Sequence, residues 1–384
     1  MARIVVSGYM IRYPLAGSLL AYFQYVLGLS RLEHRVTYIE ESGWDGSCYD
    51  PLTNASGNSP RSGLAILRDV LARYDLDVPV YYVDRAGGAV YGGSRADVRR
   101  ELADADLLLN LGGVCWLDEF ALCRHRILID MDPLFTQVGL FASKTLGDYH
   151  VHLSYGMNIG RPGCTIPTSG HAWRGTVPPV VPELWSACPP GKVFTTIAQW
   201  SSYGAVEHEG ESYGQKDVEF LRLLHLPHSM QQPLELALSG GSDDLWKQLE
   251  VAGWSIIDGG NISRDLDRYR RYVCGSRGEF SAAKQAYVKT RSGWFSDRTV
   301  CYLAASRPVV IQDTGQSDWM CVGRGVLTFS TPEEAADCLA RVNADYDEHS
   351  RAARQIAMDL FDYRRVLPRL MDTASTAGTE ETSS

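Results

Sequence analysis

The chain has 384 residues, 45% of them hydrophobic and 22% charged, with 37 Lys plus Arg against 46 Asp plus Glu and a net charge of -9. That length exceeds one ordinary core and fits two domains. The acid excess argues against a duplex nucleic acid or an anionic membrane as partner.

Nine cysteines are scattered without a Cys-x-x-Cys pair, which reads as reduced thiols in a cytoplasmic protein with no zinc site. The opening Met1-Ala-Arg-Ile-Val-Val lacks the pattern of a secretory signal, and no apolar run approaches the ~20 residues of a membrane span.

The first half alternates strand and helix signals, the pattern of a parallel sheet covered by helices. Arg3 to Ser7 predicts a strand ending at Gly8, and after the loop through Tyr9 and Pro14, Leu15 to Leu32 is apolar at helical spacing. Gly17-Ser18 at the helix start would let a ligand approach the backbone, or simply let two helices pack. His34 to Glu40 predicts the second strand, Val80 to Asp84 the third, and Ser94 caps a helix to Ala105. Leu107 to Asn110 and Arg126 to Asp130 are further strands, and the latter stops at Asp130-Met-Asp132. Ligands of open parallel sheets collect at strand carboxyl ends, so either carboxylate stands where chemistry would stand, though each also suits a loop anchor. Gly147 to Trp185 is dense in Gly, Pro and aromatics and reads as a crossing segment. It holds His150 and His152, more readily ordinary hydrogen-bonded histidines than metal ligands, and Asn158.

A second alternating series starts near Val193, with strands at 193–198, 234–238, 254–258 and 326–329 and a last helix over 349–371. Its centre is the stretch Glu279 to Gly315. There Lys284, Lys289, Arg291 and Arg298 lie among Ser281, Thr290, Ser292 and Ser296, a concentration of cations and hydroxyls that suits a diphosphate. Tyr287, Trp294 and Phe295 are candidates to stack on a base or sugar, and Gly293 permits a turn of amides toward phosphate. Neither a Walker loop nor Gly-x-Gly-x-x-Gly occurs here.

Gly293-Trp294-Phe295-Ser296-Asp297-Arg298, then Cys301-Tyr-Leu-Ala-Ala-Ser-Arg-Pro308-Val-Val-Ile, resembles the donor-binding loop, helix and strand of GT-B nucleotide-sugar glycosyltransferases. Gly17-Ser18 before a long helix resembles the start of that family's acceptor domain. A bacterial glycosyltransferase-like subgroup is similar through Arg291 to Arg298, Gln312-Asp313-Thr314-Gly315 and Asn158-Ile-Gly160. The paired glutamates of the commonest retaining branch are absent.

The resemblance implies α/β architecture with two doubly wound Rossmann-like domains facing across a cleft. It divides the chain into an acceptor domain over 1–185, a donor domain over 186–348, a helix over 349–372 packing back on the first domain, and a disordered tail over 373–384. It implies metal-independent transfer of a sugar from a nucleoside diphosphate sugar to a small acceptor, with no cofactor. Trp200, Lys216, Lys284, Arg291, Trp294, Phe295, Ser296, Asp297, Arg298, Asp313, Thr314 and Gly315 would hold the donor. Tyr9, Gly17, Ser18 and Asn158 would hold the acceptor. Asp132, with Asp130 and His152 behind it, would be the base of an inverting reaction. A sugar-nucleotide 2-epimerase and a non-catalytic auxiliary subunit are the alternatives.

Overall fold

The structure, a computed structural model, describes residues 1–139, 146–185 and 188–380. Two separate parallel sheets carry it.

The first holds β1 (Arg3–Ser7), β2 (Arg35–Glu41), β3 (Val80–Val83), β4 (Val90–Tyr91), β5 (Leu107–Leu111), β6 (Arg126–Asp130), β7 (Val151–Ser154) and β8 (Trp173–Gly175). Their order is β8-β7-β6-β5-β1-β2-β3-β4, parallel except for β4. The second holds β9 (Phe194–Gln199), β10 (Leu234–Ser239), β11 (Ser255–Asp258), β12 (Gly278–Ser281), β13 (Val309–Gln312) and β14 (Val326–Phe329). Its order is β11-β10-β9-β12-β13-β14, with every pair parallel. In each sheet the chain order reverses beside the first strand, at β1 and at β9. Such a switch point opens a crevice at the carboxyl ends of the strands.

The strands are near-continuous apolar runs because both faces are covered. Val5 points into a cluster with Val98 and Leu102, whereas its neighbours Ile4 and Val6 pack with Leu19 and Phe23 of α1 (Ala16–Arg31). Of the capping signals in the sequence, Ser94 forms a capping box with Asp97, as its residue type predicts.

Two strands depart from the sequence reading. β12, the central strand next to β9, begins at Gly278 and carries Glu279, a charged residue no burial argument expects inside. β8 lies within the supposedly irregular crossing segment.

The carboxy-terminal helix is likewise not continuous. A helix over Tyr346–Ile356 loosens through Ala357–Phe361 and restarts as α4 (Tyr363–Glu380). The break comes at Asp362, whose extended backbone bridges Val180 and whose carboxylate takes Arg364 N at 2.9 Å. Val180 N donates to Phe361 O and Tyr363 N to Val180 O, at 2.7 and 2.9 Å. These bonds tie the chain's end to the segment leaving the first domain. α4 then lies on α1, so close that a Cβ at Gly28 would stand 2.7 Å from Leu367 Cδ1 and 3.0 Å from Tyr363 Cβ. The helix continues through Thr373 to Glu380, correcting the expectation of a disordered tail for those residues; 381–384 lie outside the described residues. No helix among the described residues is long and apolar enough to cross a membrane.

Gly28→Val overpacks this contact and is expected to lower unfolding stability by about 1–3 kcal/mol in urea titration. An unchanged midpoint would mean that α4 does not seat on α1.

Candidate active site

The two switch points face each other, and one carboxylate joins them. Asp132 stands in the loop after β6, and the donor-side Lys284 reaches it with Nζ at 2.9 and 2.7 Å from its two oxygens. The hydroxyls of Tyr287 and Tyr203 donate to the same carboxylate, and Lys284 Nζ lies 2.5 Å from Tyr203 OH. The Lys284 ammonium also sits 4.7 Å from the Phe135 ring centroid and 4.5 Å from that of Tyr203. Residues from both halves thus close around one partly exposed acid. Burial and the Asp132 charge push the Tyr287 hydroxyl well above the usual tyrosine range, so it remains a hydrogen-bond donor.

Asp130 has a different part. It is fully buried and accepts from Thr136 Oγ1 at 2.6 Å, Ser154 Oγ at 2.6 Å, Gln137 Nε2 at 3.0 Å and Asp132 N at 2.9 Å. This corrects its candidacy as a base: all its bonds are internal, and it holds the Asp132 backbone. His152 is also corrected. Its Nε2 lies 2.7 Å from Leu146 O, and its ring is tilted against His171 at 4.4 Å and edge-on to Trp173 at 5.2 Å. Burial lowers its pKa, leaving a neutral core histidine.

Deeper in the donor half, α3 (Asp297–Ala304) starts at the cleft with Ser296 as its cap, the Ser296 hydroxyl accepting from Arg298 N at 3.2 Å. Arg298 is spent on structure. It pairs with buried Glu279 at 2.7 Å and donates to Ile197 O and Ser281 Oγ, both at 2.8 Å, spanning the β9–β12 switch point. Its fixed charge nevertheless fills the crevice. Burial, with Arg298 second, lowers Lys216 well below the usual lysine value. Lys216 has neither a hydrogen bond nor an ion pair among the described residues, while Lys284 and Asp297 share its field. Burial also raises the carboxyl of Asp297.

An unpaired, partly desolvated ammonium next to a fixed guanidinium and a helix amino end is a place where an anion is stabilised. From the facing half, α1 begins at Leu15 without a side-chain cap. Its Gly17 packs on Tyr269 of α2 (Leu266–Gly275), where a Cβ would lie 3.3 Å from the ring. Gly17 therefore serves domain contact, with half-buried Ser18 beside it. Gln24, further along α1, touches Cys301 Sγ of α3 at 3.9 Å.

Several expected donor contacts are structural instead. Lys289, at the end of a helix, turns outward to Glu211 at 2.7 Å, and Arg291, at a positive φ of 48°, pairs with Asp318 at 3.2 Å. Phe295 is buried against Phe361 at 5.0 Å, and Trp200 packs edge-on against Phe220. Asn158, expected at the acceptor, laces the two halves. Its Nδ2 donates to Arg291 O, Gly315 O and Asp318 Oδ2 at 3.1, 3.0 and 3.2 Å. Gly293 and Gly315, at φ 70° and 93°, leave room for it, since a Cβ on either would come within 3 Å of its side chain.

Asp313 and Thr314 brace the same loop: Asp313 Oδ1 accepts from Gly315 N at 2.8 Å, and Thr314 Oγ1 donates to Trp294 O at 3.0 Å. Trp294 itself stays on the cleft, tilted against Tyr287 at 4.5 Å, with Nε1 3.3 Å from Met131 O. Behind it a cavity of about 10 Å³, lined by Ser281, Ser296 and Gln312 among others, has room for a single water at most. A larger groove of about 180 Å³ opens at the amino ends of β1 and β2, the wrong ends for this site.

Tyr203 and Glu279 were invisible as site residues in the sequence. Tyr203 sits in a Ser-Ser-Tyr-Gly loop with no pattern, and Glu279 became meaningful only once β12 placed it under Arg298.

At the level of sequence, neither a family model nor a curated protein matches. Solved structures do match. HepE of Anabaena, in complex with UDP and glucose, superposes with a TM-score of 0.60 at 12% identity over 98% of this chain and 100% of that one. AviGT4, a glycosyltransferase involved in avilamycin A biosynthesis, gives 0.54 at 15% over 98% and 97%. An alpha-glucosyltransferase in complex with UDP and a 13-mer DNA gives 0.61 at 9% over 97% and 99%. The chain has the GT-B fold. In the GT-B frame the crevice between β1 and β9 is the interdomain cleft, and Asp132 and Lys216 belong to its opposite walls.

Arg298→Met leaves Glu279 charged and buried without its partner, an expected loss of about 3–5 kcal/mol in denaturant unfolding. Arg298→Met with Glu279→Gln should recover much of it. No recovery would show that the pair is not what organises the switch point.

Proposed function

We propose that this protein transfers a glycosyl group from a uridine diphosphate sugar to the hydroxyl of a small-molecule acceptor. The observation that carries the reading is Lys216, without a hydrogen bond or ion pair among the described residues, in the field of Arg298, of Asp297 at the start of α3 and of Lys284, whose ammonium reaches Asp132. UDP is favoured as the carrier because it occupies HepE and the alpha-glucosyltransferase.

In the reaction, the acceptor oxygen bonds to the anomeric carbon while the bond from that carbon to the β-phosphate oxygen breaks. Lys216 takes the charge that develops on the leaving diphosphate, an electrostatic term that operates without further proton transfer. In an inverting reaction the acceptor proton passes to Asp132. A carboxylate held by an ammonium and two phenols is a weak base, so Lys284 must loosen first. The donor diphosphate, entering the field Lys284 shares with Lys216, supplies the competing anion. Trp294, tilted against Tyr287, offers the sugar an apolar wall. The reading needs no cofactor.

A small acceptor fits this chain better than a duplex such as the one bound by the alpha-glucosyltransferase, because 37 cationic residues against 46 acidic ones supply no phosphate-binding excess.

Calorimetry with UDP, TDP and GDP is the first test: UDP binds, and Lys216→Ala weakens it by about 1.5–3 kcal/mol, roughly tenfold to a hundredfold. Failure of every nucleotide to bind removes the reading. Asp132→Asn should leave UDP affinity within about twofold and cut acceptor-dependent product formation by about 100-fold or more; full activity excludes Asp132 as base. The sign of the pH effect follows from Lys216. Its ammonium binds the anion and its pKa is lowered, so UDP affinity is flat below that pKa and falls about tenfold per pH unit above it, earlier than an ordinary lysine would permit. Lys216→Arg, always charged, should abolish this alkaline limb, and a limb that persists assigns it to another group.

A further inference from the structure

A wall of aromatic rings stands at the carboxyl edge of the first sheet, outside the Asp132–Lys284 cluster. Tyr9 and Tyr13 stack at 5.9 Å with a 14° interplanar angle, Trp44 tilts against Tyr9 at 6.3 Å, and Tyr49 against Tyr13 at 5.2 Å. Trp44 is 55% exposed, an unusual position for the largest apolar side chain. The hydroxyls of Tyr9 and Tyr13 have no hydrogen-bond partner among the described residues, while that of Tyr49 is engaged by Asn54 at 2.5 Å.

The wall is built on purpose-held chemistry. Arg12, with no solvent exposure, lies under it with its guanidinium 4.5 Å from the Tyr9 centroid and 5.1 Å from that of Trp44. Glu40 pairs with it at 3.3 Å, and Val114 O accepts from its Nη2 at 2.8 Å. Its Nη1 is buried without a partner beneath Gly43, where any side chain would collide with it.

Buried contacts run from this wall toward the cleft. A Cβ at Gly8, just ahead of Tyr9, would touch Tyr22; the Tyr22 hydroxyl lies against Gly112; Gly112 meets Met131; and Met131 O holds Trp294 beside Asp132. Tyr9 after β1, Trp44 after β2 and Asp132 after β6 all stand at the carboxyl edge of the first sheet.

The geometry points to an acceptor that is a neutral, planar phenol, seated with its ring on Trp44 and Tyr9 and its hydroxyl toward Asp132. This rests on the donor reading above and names the substrate class for the other wall of that cleft. Charge disfavours an anionic acceptor: Glu40 offsets the net charge of Arg12, and the flanking Asp45 and Asp50 are acidic. Between a planar phenol and a puckered sugar ring, the guanidinium held on the inner ring faces decides. A guanidinium draws electron density toward itself, which weakens the attraction of the outer faces for the C–H groups of a pyranose and favours an electron-rich ring.

The test uses the full chain and 2-naphthol as probe, with cyclohexanol and methyl β-glucoside as controls, measured by equilibrium dialysis with and without UDP. Saturable 2-naphthol binding is expected, weakened about tenfold in Trp44→Ala and in Tyr9→Ala, with UDP affinity unchanged in both. Trp44 is largely in solvent, so its removal leaves folding intact, which the unchanged UDP affinity confirms. Absence of 2-naphthol binding, or equal binding by Trp44→Ala, overturns the proposal, as does methyl β-glucoside binding that Trp44→Ala abolishes. If 2-naphthol binds through Trp44 but UDP does not bind at all, the donor reading falls while the phenol site stands.

Discussion

Much of this molecule follows from the demand that Asp132 be satisfied from the opposite domain. A carboxylate with restricted access to water needs counter-charge and donors, and within its own half Asp130 supplies only a grip on its backbone. Lys284, Tyr203 and Tyr287 provide the rest from the second half. The two sheets are thereby held with their carboxyl edges opposed, which brings the switch points of β1 and β9 to one crevice. A contact of this kind is polar and partly exposed, so its net contribution to stability is modest. Its effect is positional: it sets the distance between the proposed base and the proposed anion site around Lys216.

The loop between them is kept by a different means. Asn158 reaches from the first domain's last segment into the turns at Gly293 and Gly315, its one amide joining Arg291 O, Gly315 O and the Asp318 carboxylate. Only glycine tolerates its approach at those two positions. The same turns present Trp294 to the cleft, and the Asp362 break then returns the chain to α1. Cleft geometry is thus shared between a charge cluster, an amide lace and a helix that crosses back.

The architecture was largely legible because buried parallel strands are continuous apolar runs and their helices start at visible caps, as at Ser94. β12 escaped because it carries Glu279, whose burial is possible only against Arg298, a partner 19 residues further along the chain that no local pattern conveys. The site was legible in part. Asp132, Lys284 and Trp294 stand together, since a strand end and a cation-rich stretch are readable features, whereas Lys216 was expected only from the resemblance. Arg291, Phe295, Asn158 and Asp130 were misread for one reason: residue type signals what a side chain can do, whereas a positive φ at Arg291 or a neighbour such as Phe361 decides where it points. Tyr203 had no signal, since its partner lies in the other domain.

The most direct test of the account is the structure of the protein with UDP bound. The account predicts the diphosphate on Lys216 Nζ at the start of α3, with Lys284 drawn away from Asp132 toward the phosphates. A diphosphate located elsewhere, or one bound in the cleft with Lys216 still unpartnered and Lys284 still closed on Asp132, would contradict it.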